Sequence, residues 1–466
     1  MNKLLEALLA LAIVGATLAF GGVQTITYSL MEIVLFALLL ALLLKQAREG
    51  EIRLPLPLWP VLFLLVVVVQ VIPLPSGLVE TLSPARAADL RTVTQGAWAT
   101  LSVYPRDTTL SLVKVLAYLS AFVLAAHLFD SRQGLSTLLR ALILLGCFEA
   151  GYGIVQYLTG WQKIFTYTKK SGLGEASGTF INRNHFAGFL ELVLPFVLAS
   201  AFYSFQVWAG RRGSFGMRRA TGDRSSGIHQ FLFYLFLLIV MVVAVIFSRS
   251  RAGILATLFT IILMAALAQL RTGSKAWLLG VLAFFGSVLG YGLWIGLGPV
   301  LARFEGIGEP GYLQIEGRFA IWKDTLRLIH DFPLTGSGLG TFDLVFRQYQ
   351  TTSVNFLVDH AHNDFLEFAS DTGLPGASLL FLPILYLLGR MALSFLDDPH
   401  SYRRAVTLGC IGSTTALLLH SVTDFNLQIP SNALVFAVVL GIGYKVTCLD
   451  RGAEAQTESP PYTPRG

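Results

Sequence analysis

The residues of this chain that could do chemistry are few and fall in separate segments. SRSRAG (248–253) carries Arg249 and Arg251, GRFAIWKDTLRLIHDF (317–332) carries Arg318 and Arg327, and HAHND (360–364) carries His360 and His362. Asn182 and Asn184 precede a long apolar run, and Asp424 lies between two others. Guanidinium groups pair bidentately with phosphate oxygens and keep their charge when partly desolvated. Histidine suits proton transfer at neutral pH. Arginines and one histidine together could stabilise a departing diphosphate and deprotonate an attacking hydroxyl.

Two simpler patterns lead elsewhere. His360, His362 and Asp364 alternate as in an H-x-H-x-D metal site, but that pattern wants a histidine after the aspartate, and Phe365 stands there. No bound metal or other cofactor is expected. The pair either caps or hydrogen-bonds a helix start, or orients and deprotonates a substrate. GSGLG (336–340) resembles a nucleotide loop, but the alternating glycines break at Thr341 and the G-x-G-x-x-G order is missing. A tight turn with close backbone approach is the better reading.

The elements that must position these residues follow from composition. Of 466 residues, 54% are hydrophobic and only 13% charged, about half the charge of an ordinary soluble domain. Twelve helices of ~20 residues would use about half the chain. A soluble enzyme, a disulfide scaffold and a disordered chain are excluded. Apolar runs fall near 4–21, 27–44, 57–74, 110–129, 135–158, 185–205, 228–247, 252–270, 276–299, 374–396, 405–423 and 430–448. The expected fold is an all-α polytopic membrane protein with about 12 transmembrane helices. Nine spans occupy 1–299, a large outside loop 300–373, the last three spans 374–448, and a disordered tail 449–466. Cys147, Cys410 and Cys448 lie in or beside apolar runs and should be free thiols.

Net charge is +6, which reads as topology marking and not as nucleic-acid binding. Placing the N-terminus in the cytoplasm puts Lys45, Arg48, Arg53, Arg132, the five arginines between 206 and 227, Arg271, Lys275, Arg403 and Arg404 inside. Both termini are then cytoplasmic. Segments 75–109, 159–184 and 300–373 are then outside, as are Arg249 and Arg251 in a very short turn that the charge rule would leave without arginine. The long loop holds ten acidic against five basic residues, so its arginines are isolated groups suited to a specific anion.

Within that loop, Phe319, Trp322, Leu326 and Ile329 predict an amphipathic helix whose polar side is Arg318, Lys323, Asp324 and Arg327. It would lie in the interface or against the spans. A short helix is expected in 341–350. A further helix would put His362, Phe365, Leu366 and Ala369 on one face and close at Gly373 and Pro375. Asn182 and Asn184 line the cleft or cap a helix. Asp424 could hold an arginine, receive a proton or cap a helix end. Trp322 reads as an interface anchor. Glu32, Lys114, Arg140, Glu149 and Glu191 are costly in lipid and should face the bundle or snorkel.

GTFINRNHFAGFLELVLPF (178–196), SRSRAG (248–253), GRFAIWKDTLRLIHDFPLTGSGLGTF (317–342) and HAHNDFLEFASDTGLPG (360–376) together resemble the bacterial O-antigen ligase / O-antigen polymerase family. HSVTDFNLQIPSN (420–432) is similar to that family's closing span and outside turn. The resemblance covers roughly 180–440. It implies a multi-pass inner-membrane glycosyltransferase of GT-C-like type. Such an enzyme moves a glycan from undecaprenyl diphosphate to an acceptor hydroxyl, with inversion and without a metal. The acceptor is lipid A–core in ligases and another lipid-linked glycan in polymerases of lipopolysaccharide or exopolysaccharide. Carried over by position, Arg251, Arg318 and His362 are the expected catalytic residues. Arg249 and His360 compete with their neighbours, and Asn182, Asn184, Arg327 and Asp424 are expected at the substrate. A transporter or flippase of lipid-linked glycan is the alternative from another class, since twelve spans describe many transporters. Those tend to have related halves, which this chain lacks.

Overall fold

The computed structural model describes residues 1–93, 96–129, 131–213, 225–273, 279–280, 282–283, 286, 313–351 and 357–449. The fold is all-α. Eight helices are long and apolar enough to cross a membrane. In the numbering used below these are α2 (Thr25–Arg48), α6 (Pro105–Leu128), α7 (Arg132–Thr159), α8 (Arg183–Gly213), α9 (Ser225–Phe247), α10 (Arg251–Thr272), α13 (Asp364–Asp397) and α15 (Pro430–Tyr444, continued by a turn to Leu449). Helices α1 (Asn2–Leu18), α3 (Leu58–Val71) and α14 (Ser401–His420) coincide with three more of the expected runs. Most of the expected span 276–299, residues 300–312 and the tail from 450 lie outside the described residues.

α8 is the centre. The spanning part of this helix is 89% buried, because Phe186, Phe189, Phe196 and Phe202 leave almost no polar face. It packs on α14, α9, α7 and α10. Close approach to α14 uses small residues, with Gly409 against Phe196 and Gly412 against Pro195. α15 packs on α6, α6 on α2 and α3, and α13 on α3 and α14. Helix ends follow local rules. Ser131, Ser250 and Asn363 cap α7, α10 and α13 through their side-chain oxygens. Gly160 and Gly273 end α7 and α10 in the left-handed conformation.

The segments between spans are ordered at one end of the bundle. β1 (Leu74–Pro75) pairs antiparallel with β2 (Trp98–Ala99), enclosing α4 (Ser76–Leu82) and α5 (Pro84–Val93). A small hairpin of β3 (Lys163–Ile164) and β4 (Tyr167–Thr168) follows α7. Residues 313–351 and 357–361 form a cap over this end, built from α11 (Leu313–Asp331), α12 (Phe342–Val345) and a 3₁₀ turn. Ile321, Leu328, Phe332, Phe342 and Phe346 give the cap a core of its own.

The cap corrects two expectations. The packed face of α11 is Ile321, Asp324, Thr325 and Leu328, whereas Phe319 and Leu326 of the expected stripe are exposed. Asp324, expected on the polar side, is buried because its carboxylate accepts from the backbone and hydroxyl of Thr351. The helix that follows the cap, α13, starts at Asp364, so His362 is off it. Asn363 is the cap, and His362 holds a left-handed backbone (φ 49°) that few non-glycine residues adopt. Gly373 (φ 69°, ψ 171°) kinks α13 instead of ending it, and the helix resumes as the next span.

The glycine-rich turn joins cap to bundle. Backbone N–H groups of Ser337 and Gly338 donate to the carbonyls of Ser370 and Asp371 at 2.9 and 3.0 Å, and Val103 N donates to Ser337 O at 2.8 Å. Gly336 has φ 65°, and a Cβ there would overlap the Asp371 carbonyl. Gln70 of α3 closes the joint, with Nε2 donating to Thr335 O (2.6 Å) and Asp371 O (2.8 Å) and Oε1 accepting from Leu339 N (3.1 Å).

Candidate active site

Four polar segments meet under the cap, at the start of α8, the start of α13, α11 and the α14–α15 turn. Their meeting point is the carboxylate of Asp424, which is fully buried. Its Oδ2 accepts from Asn184 Nδ2 at 2.5 Å and from the Arg318 guanidinium at 3.4 Å. Its Oδ1 accepts from the Phe425 backbone N–H at 2.9 Å. His185 Nε2 and His362 Nδ1 approach the same Oδ1 at 3.7 and 3.9 Å. Neither of these buried ring nitrogens has a hydrogen-bond partner. Burial alone would raise the Asp424 carboxyl, but the two imidazoles and the Arg318 charge outweigh it and hold it well below the usual carboxylate range.

Phe425 organises the three histidines. Its ring stacks on His360 (centroids 4.1 Å apart) and meets His185 and His362 edge-on at 4.7 and 4.9 Å. His360 nevertheless belongs to another carboxylate. Its Nδ1 lies 2.8 Å from Glu367 Oε1, while Glu367 Oε2 accepts from Ala361 N at 2.8 Å. Burial would lower the His360 imidazole, but Glu367, with smaller contributions from Asp359 and Asp364, pushes it up to about 9. The H-x-H pair is thus divided between two acids, His360 to Glu367 and His362 towards Asp424. Trp322 Nε1 donates to Ala361 O at 3.0 Å, so this tryptophan holds the histidine segment. Asp364 locks the α14–α15 turn, accepting from Ser421 Oγ (2.7 Å) and Leu427 N (3.1 Å).

The remaining expected residues are distributed around this centre. Asn182 and Asn184 divide their two readings: Asn182 Oδ1 accepts from Asn184 N at 2.8 Å as a helix-start turn, and Asn184 reaches Asp424. Arg318 and Arg327 are nine residues apart, about two and a half helical turns, and so point to opposite sides of α11. Arg327 pairs with Asp324 at 3.0 Å, away from Asp424. Arg251 is the first residue of α10, immediately after the cap Ser250. A Cβ on Gly253 of that first turn would meet Ala187 and Glu191 of α8, so Arg251 lies at the same end of the bundle as Asn184. Arg249 has a left-handed backbone (φ 56°), and its guanidinium sits over the Tyr157 ring at 5.5 Å. Non-glycine residues held at positive φ cost roughly 1–3 kcal/mol and concentrate at functional sites. Here they include one arginine and one histidine of the expected set.

Several site residues carry weak signals in the sequence. His185 directly follows the asparagine pair and sits at an apolar-run start. Glu367 is two helical turns beyond His360, a spacing that a carboxylate–imidazole pair can use. Phe425 gives no sign beyond adjacency to Asp424. Of the intramembrane charges, Glu191 is paired with His420 (3.1 Å, both buried) directly below the site. Glu149 accepts from Thr179 N and Oγ1, and Lys114 lies over the Tyr28 ring at 4.4 Å.

No curated protein is significantly similar to the chain. The family model described as O-antigen ligase matches residues 236–381, which take in the SRSRAG turn, α11, the glycine-rich turn, the histidine pair and the kink of α13. Over that segment the chain is similar to the O-antigen ligase family.

Proposed function

We propose that the protein transfers a glycan from undecaprenyl diphosphate to an acceptor hydroxyl at the periplasmic face of the inner membrane. The observation that carries this reading is the convergence of Arg318, Asn184, His185 and His362 on buried Asp424, inside and beside the matched segment. The orientation is supported by charge. Lys45, Arg48, Arg132, Arg271, Arg403 and Arg404 lie at helix ends remote from Asp424, as expected of a cytoplasmic surface.

In this reading His362 takes the proton from the acceptor hydroxyl as its oxygen bonds to the anomeric carbon. The bond from that carbon to the diphosphate oxygen breaks on the opposite face, inverting configuration, and the diphosphate leaves with the electron pair. Arg318 and Arg251, with Arg249 nearby, neutralise the growing charge. Their permanent charge serves where a metal would otherwise be needed. Asp424 then has a defined part. A carboxylate offers about four acceptor positions. Asn184, Arg318 and Phe425 N take three, and His185 and His362 compete for the fourth. When His362 turns to the acceptor, His185 takes its place, so Asp424 stays satisfied and Arg318 stays placed.

The test is a transfer assay with purified protein, lipid-linked glycan and either lipid A–core or a second lipid-linked glycan. A new glycosidic bond supports the reading and its acceptor separates ligase from polymerase. Movement of the lipid-linked glycan across the bilayer without product would establish the transporter instead.

A further inference from the structure

A polar cavity, of about 510 Å³, opens between α7, α8, α9 and α14. Tyr203 lines it nineteen residues beyond Asn184 on α8, which at 1.5 Å per residue places it about 28 Å from the Asp424 site. It therefore lies at the opposite membrane surface and has no part in the chemistry above. Its polar lining includes Arg132, Arg140, Tyr203, Tyr402, Ser204 and Gln230, and among the described residues no carboxylate lines it.

The donors are free to receive an anion. Arg132 donates to the Tyr203 oxygen at 2.6 Å and lies over the Tyr402 ring at 4.5 Å. Because the Tyr203 oxygen accepts that bond, its own O–H can still donate. The Tyr402 hydroxyl is buried with no partner. Among the described residues Arg140 bonds within its own helix, to Ser136 O and Thr137 Oγ1. Arg132, Ser136 and Arg140 recur every four residues and so share one face of α7. Two guanidinium groups and two phenols thus converge where, among the described residues, no carboxylate lines the cavity. Deeper in, Ile143, Phe196 and Val406 make the floor apolar. On the open side Leu232, Phe233 and Phe236 of α9 are more than half exposed, a flank suited to acyl chains.

We propose that this cavity binds the phosphate-bearing headgroup of an anionic membrane lipid, with its chains lying along α9. The arginines neutralise the phosphodiester, the phenols donate to its free oxygens, and the lack of a carboxylate disfavours headgroups that carry a compensating cation.

The test uses the full chain, purified in detergent and offered phosphatidylglycerol or phosphatidylcholine, with retained lipid counted by native mass spectrometry. The wild type should retain phosphatidylglycerol at least about tenfold better. Arg132→Gln/Arg140→Gln should erase that preference. Should the double variant not fold, Arg140→Gln alone, on an exposed position, should still reduce it. Equal retention of both lipids by the wild type, or undiminished preference in the folded variants, would overturn the proposal. Displacement of phosphatidylglycerol by millimolar inorganic phosphate would show a site for small anions and overturn the lipid assignment.

Discussion

Replacing Glu367 by glutamine should uncouple the histidine segment from its anchor in a pH-dependent way. The substitution keeps the side-chain shape and an oxygen for Ala361 N, and removes only the negative charge facing His360. With Glu367 present, the His360 imidazole rises from 6.5 to about 9. Each pKa unit is worth about 1.4 kcal/mol, so the full shift corresponds to roughly 3 kcal/mol. The His360 side chain is 28% exposed, and solvent screening reduces this to about 1–2 kcal/mol. The sign follows from the direction. A raised pKa means the folded state holds the proton more tightly, so the stabilisation is complete below pH 6.5 and is lost as pH rises through about 9. Thermal unfolding of wild type and Glu367→Gln, followed by tryptophan fluorescence from below pH 6.5 to above pH 9, reads this directly. The variant should melt lower by a few degrees, roughly 2–4 °C, at the acid end, and the two curves should meet at the alkaline end. A gap that is constant with pH, or widens as pH rises, would refute the reasoning.

Three other substitutions test separate parts of the account. Arg251→Lys keeps the charge and loses the planar fork, so transfer should fall by about 1.5–3 kcal/mol, roughly 10- to 150-fold; an unchanged rate removes the diphosphate role. His185→Gln should slow turnover roughly tenfold with KM little affected and the acid limb of the pH–rate profile displaced. A wild-type profile would return His185 to a purely structural part. Gly336→Ala meets both a positive φ and the Asp371 carbonyl, and should destabilise the protein by at least about 2 kcal/mol. An unaltered melting temperature would show that the cap is not held to α13 through this turn.

Much of the architecture was legible because it rests on hydropathy, a signal that repeats over about twenty residues per span. Eleven of the twelve expected runs have described helices, although α1, α3 and α14 are too short or too polar to stand out as spans by length and hydropathy alone. The cap was less legible because its packing is local and three-dimensional. Asp324 has the pattern of a surface residue on α11 and is buried only because Thr351, from a distant turn, satisfies it. His362 has the spacing of a helical residue and is off the helix because Asn363 is the better cap. The site residues Arg318, Asn184 and Asp424 were each visible as isolated polar groups in apolar surroundings. Their union was not, since it joins positions 184, 318, 362 and 424 across four elements. His185 was overshadowed by the more conspicuous H-x-H pair, and Phe425 by its ordinary apolar character.

The central claim is that the group facing Asp424 from the start of α13 takes the proton of the acceptor hydroxyl. The most direct measurement is the initial rate of glycan transfer by purified His362→Ala, with its melting temperature measured alongside. The rate should fall by at least about 100-fold in a protein that melts like the wild type. Near-normal transfer by a stably folded His362→Ala would contradict it.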